Sequence, residues 1–114
     1  MSQLQRRVVI TGAGGISPLG NDWDSIHARL RECRNAVQRI DEWDIYDGLN
    51  TKLAAPAAPF ELPAHYNRKT TRSMGRVALM AVRASEIALA DAGLLGDPVL
   101  TSGRVGVSSG SSAG

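Results

Sequence analysis

The sequence predicts an α/β fold, and three observations lead to this prediction. Residues 7–11 (RVVIT) form a short β-branched run that ends at a glycine, which is typical of a buried strand. Residues 104–108 (RVGVS) form a second run of the same kind. Between the two runs, residues 23–34 and 71–92 repeat apolar side chains at helical spacing. Strands and helices therefore alternate within one short chain.

The composition is that of a globular protein and excludes several classes of function. A net charge of +2, from 13 basic and 11 acidic side chains, is too small to indicate nucleic-acid binding. No apolar run approaches the roughly 18 residues of a membrane helix, and the first residues contain no signal peptide. Cys33, His27 and His65 are too few for an internal disulfide or a complete zinc site. We therefore expect a cytoplasmic protein that uses no cofactor or metal and binds no membrane.

The first helix is predicted over about residues 23–34, with Asn21 or Asp22 as its N-cap. Its apolar residues follow a helical spacing of four, three and four. They are Ile26, Leu30, Cys33 and Val37. Because Cys33 belongs to this stripe, we expect it to be a packed apolar side chain and not a reactive thiol.

A glycine-rich loop over residues 12–20 follows the first predicted strand and suggests a dinucleotide-binding turn. That fingerprint needs a third glycine at its sixth place, so that the helix can pack closely on the strand. Counted from Gly12, the sixth place holds Ser17, and Pro18 follows it. We therefore interpret the loop as a tight structural turn.

The connection over residues 41–67 is irregular, with three prolines and a short predicted strand near residues 51–54. Loops of this length in compact domains are usually functional or packed on something. It contains most of the aromatic side chains, which we expect to anchor it on a scaffold. They are Trp43, Tyr46, Phe60 and Tyr66.

The longest predicted helix covers about residues 71–92 and ends at a glycine cap, Gly93. One face carries small residues that allow a neighbouring backbone to approach closely. The other faces are also largely apolar, which is typical of a helix buried in something large. We therefore expect partners from a longer polypeptide or from tight oligomerisation. The glycine-serine run that follows the last strand also suggests a chain that was cut.

Residues 110–114 (GSSAG) match the GxSxG pattern of a nucleophile elbow, with Ser112 as the nucleophile. The preceding strand agrees with that pattern, but no oxyanion segment of the HGGG type precedes it. In a stretch this rich in glycine and serine, the GxSxG pattern also arises by chance. The alternative is a loop that lines a cleft or a dimer contact.

A basic cluster, Arg68, Lys69 and Arg72, lies at the start of the long predicted helix. Cations at a helix N-terminus oppose the macrodipole, so they do not stabilise the helix and their presence there needs another explanation. They suit an acidic partner that docks there, and the alternative is a solvated surface patch.

Several segments together resemble the β-ketoacyl-(acyl-carrier-protein) synthases, the condensing enzymes of fatty acid and polyketide synthesis. The order of the segments along nearly the whole chain makes the resemblance specific, although no single piece is. The segments are residues 6–12 and 17–21, then Arg68, Lys69, Arg72 and Met74 with residues 88–94, then residues 104–107 with Gly110, Ser111 and Gly114.

The resemblance implies a thiolase-like layered α-β-α-β-α fold. Residues 1–114 would be the N-terminal segment of its first domain, not a complete domain. It also implies acyl-chain elongation by decarboxylative Claisen condensation, in fatty acid, polyene or polyketide synthesis. The nucleophilic cysteine and its two histidines would lie outside these residues, so this segment alone should be inactive. Cys33 precedes the family's nucleophile region.

The resemblance further implies partners and site residues. An acyl carrier protein would contact Lys69 and Arg72, with Arg68 adjacent, and the synthase would pair with itself or with a related subunit. Ala113 corresponds to the position that gates the acyl pocket, with Gly110 and Ser111 in the same loop. Two alternatives remain: a non-catalytic partner subunit of the chain-length-factor type, and a serine hydrolase that uses Ser112.

Overall fold

The computed structural model describes residues 6–112 and contains both helices and strands. The elements are α1 (Trp23–Arg31), β1 (Gln38–Arg39), β2 (Leu53–Ala54), α2 (Arg68–Thr71) and α3 (Arg76–Asp91). Short 3₁₀ helices cover Asp41–Ile45 and Pro98–Thr101. No helix within residues 6–112 is long and apolar enough to cross a membrane.

The predicted N-cap of α1 is confirmed, but its predicted C-terminal end is wrong. The Asp22 side chain accepts hydrogen bonds from the Ser25 amide at 2.8 Å and the Ser25 hydroxyl at 2.7 Å. The helix ends at Arg31, because Cys33 adopts a left-handed φ of 53° that no helical residue has. Cys33 consequently leaves the apolar stripe and is exposed, so its predicted packing is also wrong.

A two-stranded antiparallel hairpin gives the long connection its structure. Gln38 lies opposite Ala54 and Arg39 opposite Leu53, which places the predicted strand near residues 51–54 in the hairpin. The carboxylate of Asp44 binds both Arg39, at 2.5 Å, and Lys52, at 2.8 Å. The hydrogen bond from Lys52, followed by that from Arg39, lowers the pKa of Asp44. This ion pair network fixes the first 3₁₀ helix to both strands.

The predicted start of the long helix at residue 71 is wrong, because α3 begins at Arg76 with Gly75 as its N-cap, and α2 is a separate turn before it. Its predicted glycine cap is confirmed. Gly93 has a φ of 68°, its amide donates to the carbonyl of Ala90, and the Leu94 amide donates to that of Leu89. These are the two hydrogen bonds of a Schellman motif, which uses glycine at the left-handed position.

The small face of α3 receives the glycine segment directly. A Cβ on Gly12 would lie 2.4 Å from the carbonyl oxygen of Ala88, and one on Gly14 would lie 2.4 Å from that of Ala84. Between them, the amide of Ala13 donates to the Asp91 carboxylate at 3.0 Å. These glycines therefore serve close backbone packing, as the interpretation of the loop as a structural turn requires.

The two predicted strands at residues 7–11 and 104–108 are not strands in the structure. A strand exists only where a neighbouring strand supplies its hydrogen bonds, and residues 6–112 supply none to either run. Their side chains are open to solvent, with Ile10 92% and Val107 93% exposed. The prediction of strands from β-branched composition is therefore wrong for these two runs within residues 6–112.

No residue between 6 and 112 is buried, and the chain is extended. Its accessible surface is 9863 Å², against roughly 6,000 Å² for a compact protein of this mass. Its radius of gyration is 18.7 Å, against about 13 Å for a compact chain of this length. The helices therefore keep apolar surface exposed, including Val77 and Val82 on α3.

Gly12→Ala and Gly14→Ala should each lower the free energy of unfolding of a protein that contains this segment, by about 1–3 kcal/mol. The added methyl group would overlap backbone atoms of α3, which cannot rotate away. Urea denaturation measures the change. Gly15→Ala is the matched control, since a Cβ there meets nothing within 4 Å. Equal effects at all three positions would show that close packing on α3 is not what these glycines provide.

Candidate functional site

The α2 helix is a single turn that is stabilised by its own N-cap. The Asn67 side chain accepts from the Thr70 amide at 3.0 Å and from the Thr70 hydroxyl at 3.1 Å. The Thr71 hydroxyl donates to the Asn67 carbonyl at 3.1 Å. An asparagine N-cap with threonines in the first turn therefore gives this short sequence a helical conformation.

Three exposed cations lie on and directly after α2: Arg68, Lys69 and Arg72. The structure places them on this separate turn, so their predicted place at the start of the long helix is wrong. None of the three forms an ion pair with any residue from 6 to 112, whereas Arg39, Lys52 and Arg83 all do. They form a surface patch of positive charge, called here the basic patch.

The basic patch lies beside a helix N-terminus that carries no compensating acid. The first turn of α3 contains no acidic residue and begins with Arg76. The Arg76 guanidinium lies 5.9 Å from the centre of the Phe60 ring, a cation–π distance. Positive charge at this end of a helix opposes the macrodipole. The positive charge at this end of α3 is therefore not explained by the stability of the helix.

A cluster around Glu86 joins α3 to the segment that precedes α2. The carboxylate accepts from the Tyr66 hydroxyl at 2.8 Å and from the Arg83 guanidinium at 2.6 Å, and its other oxygen lies 2.5 Å from Nε2 of His65. The Glu86 side chain is only 15% exposed. These contacts, called here the Glu86 cluster, attach residues 65 and 66 to the third turn of α3.

The electrostatics of the Glu86 cluster favour an ionised carboxylate. The hydrogen bond from Tyr66 lowers the pKa of Glu86 most, and Arg83 and His65 lower it further. The pKa of Tyr66 is raised, first by burial, then by its hydrogen bond to Glu86 and by the negative charge of that carboxylate. The tyrosine therefore stays protonated and acts as a hydrogen-bond donor.

A groove of about 510 Å³ runs beside the Glu86 cluster. Thr70 and Met74, on and after α2, line one part, and α3 lines another. Val107 and Ser109 lie at its edge, just before the glycine-serine loop. Thr70, which lies between Lys69 and Arg72 in sequence, and the residues before the glycine-serine loop thus line the same apolar groove.

The predicted acyl-pocket loop is only partly described. Gly110 and Ser111 are exposed, and Ala113 lies outside the described residues. No hydrogen bond within residues 6–112 joins Ser112 to His27 or His65. Within the same range, no group of three or more His, Cys, Asp or Glu side chains is arranged to hold a metal ion.

The Glu86 cluster was not predicted from the sequence. The spacing of Arg83 and Glu86, three residues apart on a helix, was a signal for their ion pair. Nothing in the sequence indicated that His65 and Tyr66, 21 and 20 residues away, would meet the same carboxylate. That contact depends on the path of the irregular connection.

Comparison with known proteins gives consistent matches. The family model described as β-ketoacyl synthase, N-terminal domain, matches residues 5–114. A crystal structure of a β-ketoacyl synthase from Burkholderia phymatum is 56% identical with a TM-score of 0.79, over 88% of this chain and 24% of that one.

Curated relatives agree with these matches. Nodulation protein E of Rhizobium sp. (strain N33) is 40% identical over 92 residues, which are 80% of this chain and 22% of that protein. The 3-oxoacyl-[acyl-carrier-protein] synthase 2 of Staphylococcus aureus (strain N315) is 35% identical over 115 residues, covering 100% of this chain and 27% of that protein. The chain thus spans about a quarter of the length of the relatives it matches.

The lowered pKa of Glu86 predicts a pH-dependent stability in a protein that contains this segment. The ionised carboxylate stabilises the fold above its unfolded-state pKa of about 4.3, and this contribution is lost as the pH falls through the lower folded-state value. Denaturant unfolding of Glu86→Gln across pH 3–6 should show a smaller loss of stability than the parent, because the contribution of Glu86 is missing while those of Asp22 and Asp44 remain. Glu61→Gln is the charge-matched control, since Glu61 is exposed. Parallel pH curves for the parent and Glu86→Gln would contradict the prediction.

Proposed function

The chain belongs to the β-ketoacyl synthase family, as the resemblance of its sequence indicated, and we propose that it is the N-terminal part of an acyl-chain-elongating condensing enzyme. The observation that carries this proposal is the 56% identity to a solved β-ketoacyl synthase over 88% of the chain. In this proposal, residues 1–114 form the N-terminal segment of a thiolase-like layered domain. Other parts of that fold would cover the exposed runs at 7–11 and 104–108.

The proposed reaction is a decarboxylative Claisen condensation. An acyl group is held as a thioester on a cysteine of the synthase. A malonyl thioester loses CO₂, and its C2 carbanion attacks the acyl carbonyl. The new carbon–carbon bond forms as the cysteine thiolate leaves, which yields a 3-oxoacyl thioester. The nucleophile and its two histidines belong to other parts of the enzyme, and Cys33 has no role in the chemistry.

We propose that the basic patch docks the acidic acyl carrier protein. Its three cations are exposed and form no ion pair with residues 6–112, so a partner's carboxylates would not have to displace an internal one. Complementary surface charge of this kind speeds association and orients the partner, and it weakens as salt rises. The adjoining apolar groove would lie on the same side as the docked carrier.

We propose that Gly110, Ser111 and Ala113 form the loop at the acyl pocket. Their side chains are small, so the loop leaves room for an acyl chain. The approach to this loop adjoins the groove beside α2, which is consistent with a carrier docked at the basic patch. The enzyme is proposed to act in the cytoplasm, as a homodimer or with a related subunit, in fatty acid or polyketide-type synthesis.

The activity is tested in a full-length protein that contains this segment. Incubation with an acyl-carrier-protein thioester and malonyl-carrier protein should give CO₂ and a 3-oxoacyl product, and a cerulenin-type inhibitor should label one cysteine that is not Cys33. A stable protein with no labelled cysteine and no condensation would instead be a non-catalytic partner subunit.

Lys69→Glu combined with Arg72→Glu should raise the KM for the acyl-carrier-protein substrate by about tenfold at low salt, because both contacts become repulsive. The difference should shrink as ionic strength rises. Arg29→Glu with Arg31→Glu, on the exposed surface of α1, changes the net charge equally and is the control. An unchanged KM and salt dependence for the first pair would mean that the basic patch is only a solvated surface.

Ala113→Ile should shift the preferred substrate to shorter acyl chains, because a branched side chain would narrow the proposed pocket entrance. Steady-state kinetics with a series of acyl lengths measures the shift. Ser112→Ala is the neighbouring control, and condensation should survive it. If the parent protein hydrolyses the thioester without condensation and Ser112→Ala abolishes this hydrolysis, the serine hydrolase alternative is favoured.

A further inference from the structure

The orientation of the basic patch on the protein depends on contacts outside α2. The side-chain hydrogen bonds at Asn67 lie within residues 67–71, and its amide donates to the His65 carbonyl two residues before, so these local bonds form the turn but do not set its direction on α3. Among residues 6–112, the side-chain hydrogen bonds that join residues 60–74 to α3 all end on Glu86. All of these hydrogen bonds pass through one carboxylate, and the contact of Phe60 with Arg76 lies beside them at the start of α3.

The geometry places that attachment directly before the patch. His65 and Tyr66 precede Asn67, the N-cap of α2, and both contact Glu86. Tyr66 is partly buried, and Glu86 is 15% exposed. A shift of the Tyr66 hydroxyl would thus move the first residue of the turn, and the cations with it.

We infer that Glu86 is a positioning residue for the docking of the carrier protein: through His65 and Tyr66 it holds α2 so that the basic patch faces the partner. This inference rests on the proposed docking function of the patch. Glu86 itself does not touch the partner's surface in this scheme. It acts on affinity through the placement of Lys69 and Arg72.

When the Glu86 carboxylate is removed, the lost charge and the lost positioning should change the affinity for the carrier in opposite directions. Glu86→Ala deletes a negative charge and leaves the Arg83 guanidinium without its carboxylate, so the protein becomes more positive. Electrostatic attraction alone would then bind an acidic carrier more tightly. Loss of positioning would bind it more weakly. The sign of the change in KM therefore separates the two causes.

The chain offers a variant with the same charge as Glu86→Ala. In Glu86→Gln, the side-chain oxygen still accepts from Tyr66 and Arg83, and the amide group can donate to a neutral His65 ring. The two variants thus differ in the contacts of the cluster and not in charge. Glu61→Ala, at an exposed carboxylate with no ion pair inside residues 6–112, reports the effect of charge alone.

The experiment measures kcat and KM in a full-length synthase, with the acyl-carrier-protein substrate and with a short acyl-pantetheine thioester. Glu86→Ala should raise the KM for the carrier-bound substrate about fivefold, the scale of one net hydrogen bond. Its kcat, and its kinetics with the carrier-free thioester, should stay unchanged. The KM of Glu86→Gln for the carrier-bound substrate should remain near that of the parent, and the KM of Glu61→Ala should be equal to or lower than that of the parent.

A KM for Glu86→Ala that stays at or below that of the parent would overturn the inference, and so would an equal loss with the carrier-free thioester. Should Glu86→Ala fail to fold, Tyr66→Phe removes the 2.8 Å hydrogen bond alone and should show the same selective rise in KM. The charge reversal at Lys69 and Arg72 is measured in parallel. If that reversal leaves the KM for the carrier-bound substrate unchanged, the docking proposal itself fails. If the reversal raises this KM but the changes at Glu86 and Tyr66 do not, the positioning role fails.

Discussion

The close contact between the glycine segment and α3 is the constraint on which the rest of this structure depends. Gly12 and Gly14 lie so near the carbonyls of Ala88 and Ala84 that no larger residue can take their place without displacing the backbone. Asp91 at the end of the helix also binds the Ala13 amide. One side of α3 is thereby occupied, and the side that carries Glu86 is left to hold the segment before α2.

The same helix therefore connects two regions that are far apart in the sequence. Its small face sets the position of the glycine loop, while Glu86 sets that of residues 65 and 66. A rotation of α3 about its axis would move both at once, because helix faces cannot shift independently. The position of the basic patch and the path of the glycine loop therefore both depend on the orientation of α3.

Local features of the fold could be predicted from the sequence, because their cause lies within a few residues. The Asp22 cap, the left-handed Gly93 and the strand that ends at Ala54 are of this kind. The strands predicted at residues 7–11 and 104–108 are absent from the structure, because a strand needs hydrogen bonds from a neighbouring strand and residues 6–112 supply none to them. Cys33 was misplaced because helical spacing alone does not show where a helix stops.

The candidate site also combines features that the sequence predicts with features that it does not. Its charges were visible in the sequence, since Lys69 stands beside Arg68 and close to Arg72. Their orientation was not, because it depends on a carboxylate about 20 residues away. A chain selected for its own stability would place an acid near the first turn of α3, where the macrodipole favours one. Here the acid lies in the third turn, at Glu86, and is already bound by Arg83, so it does not balance the positive charge of the patch.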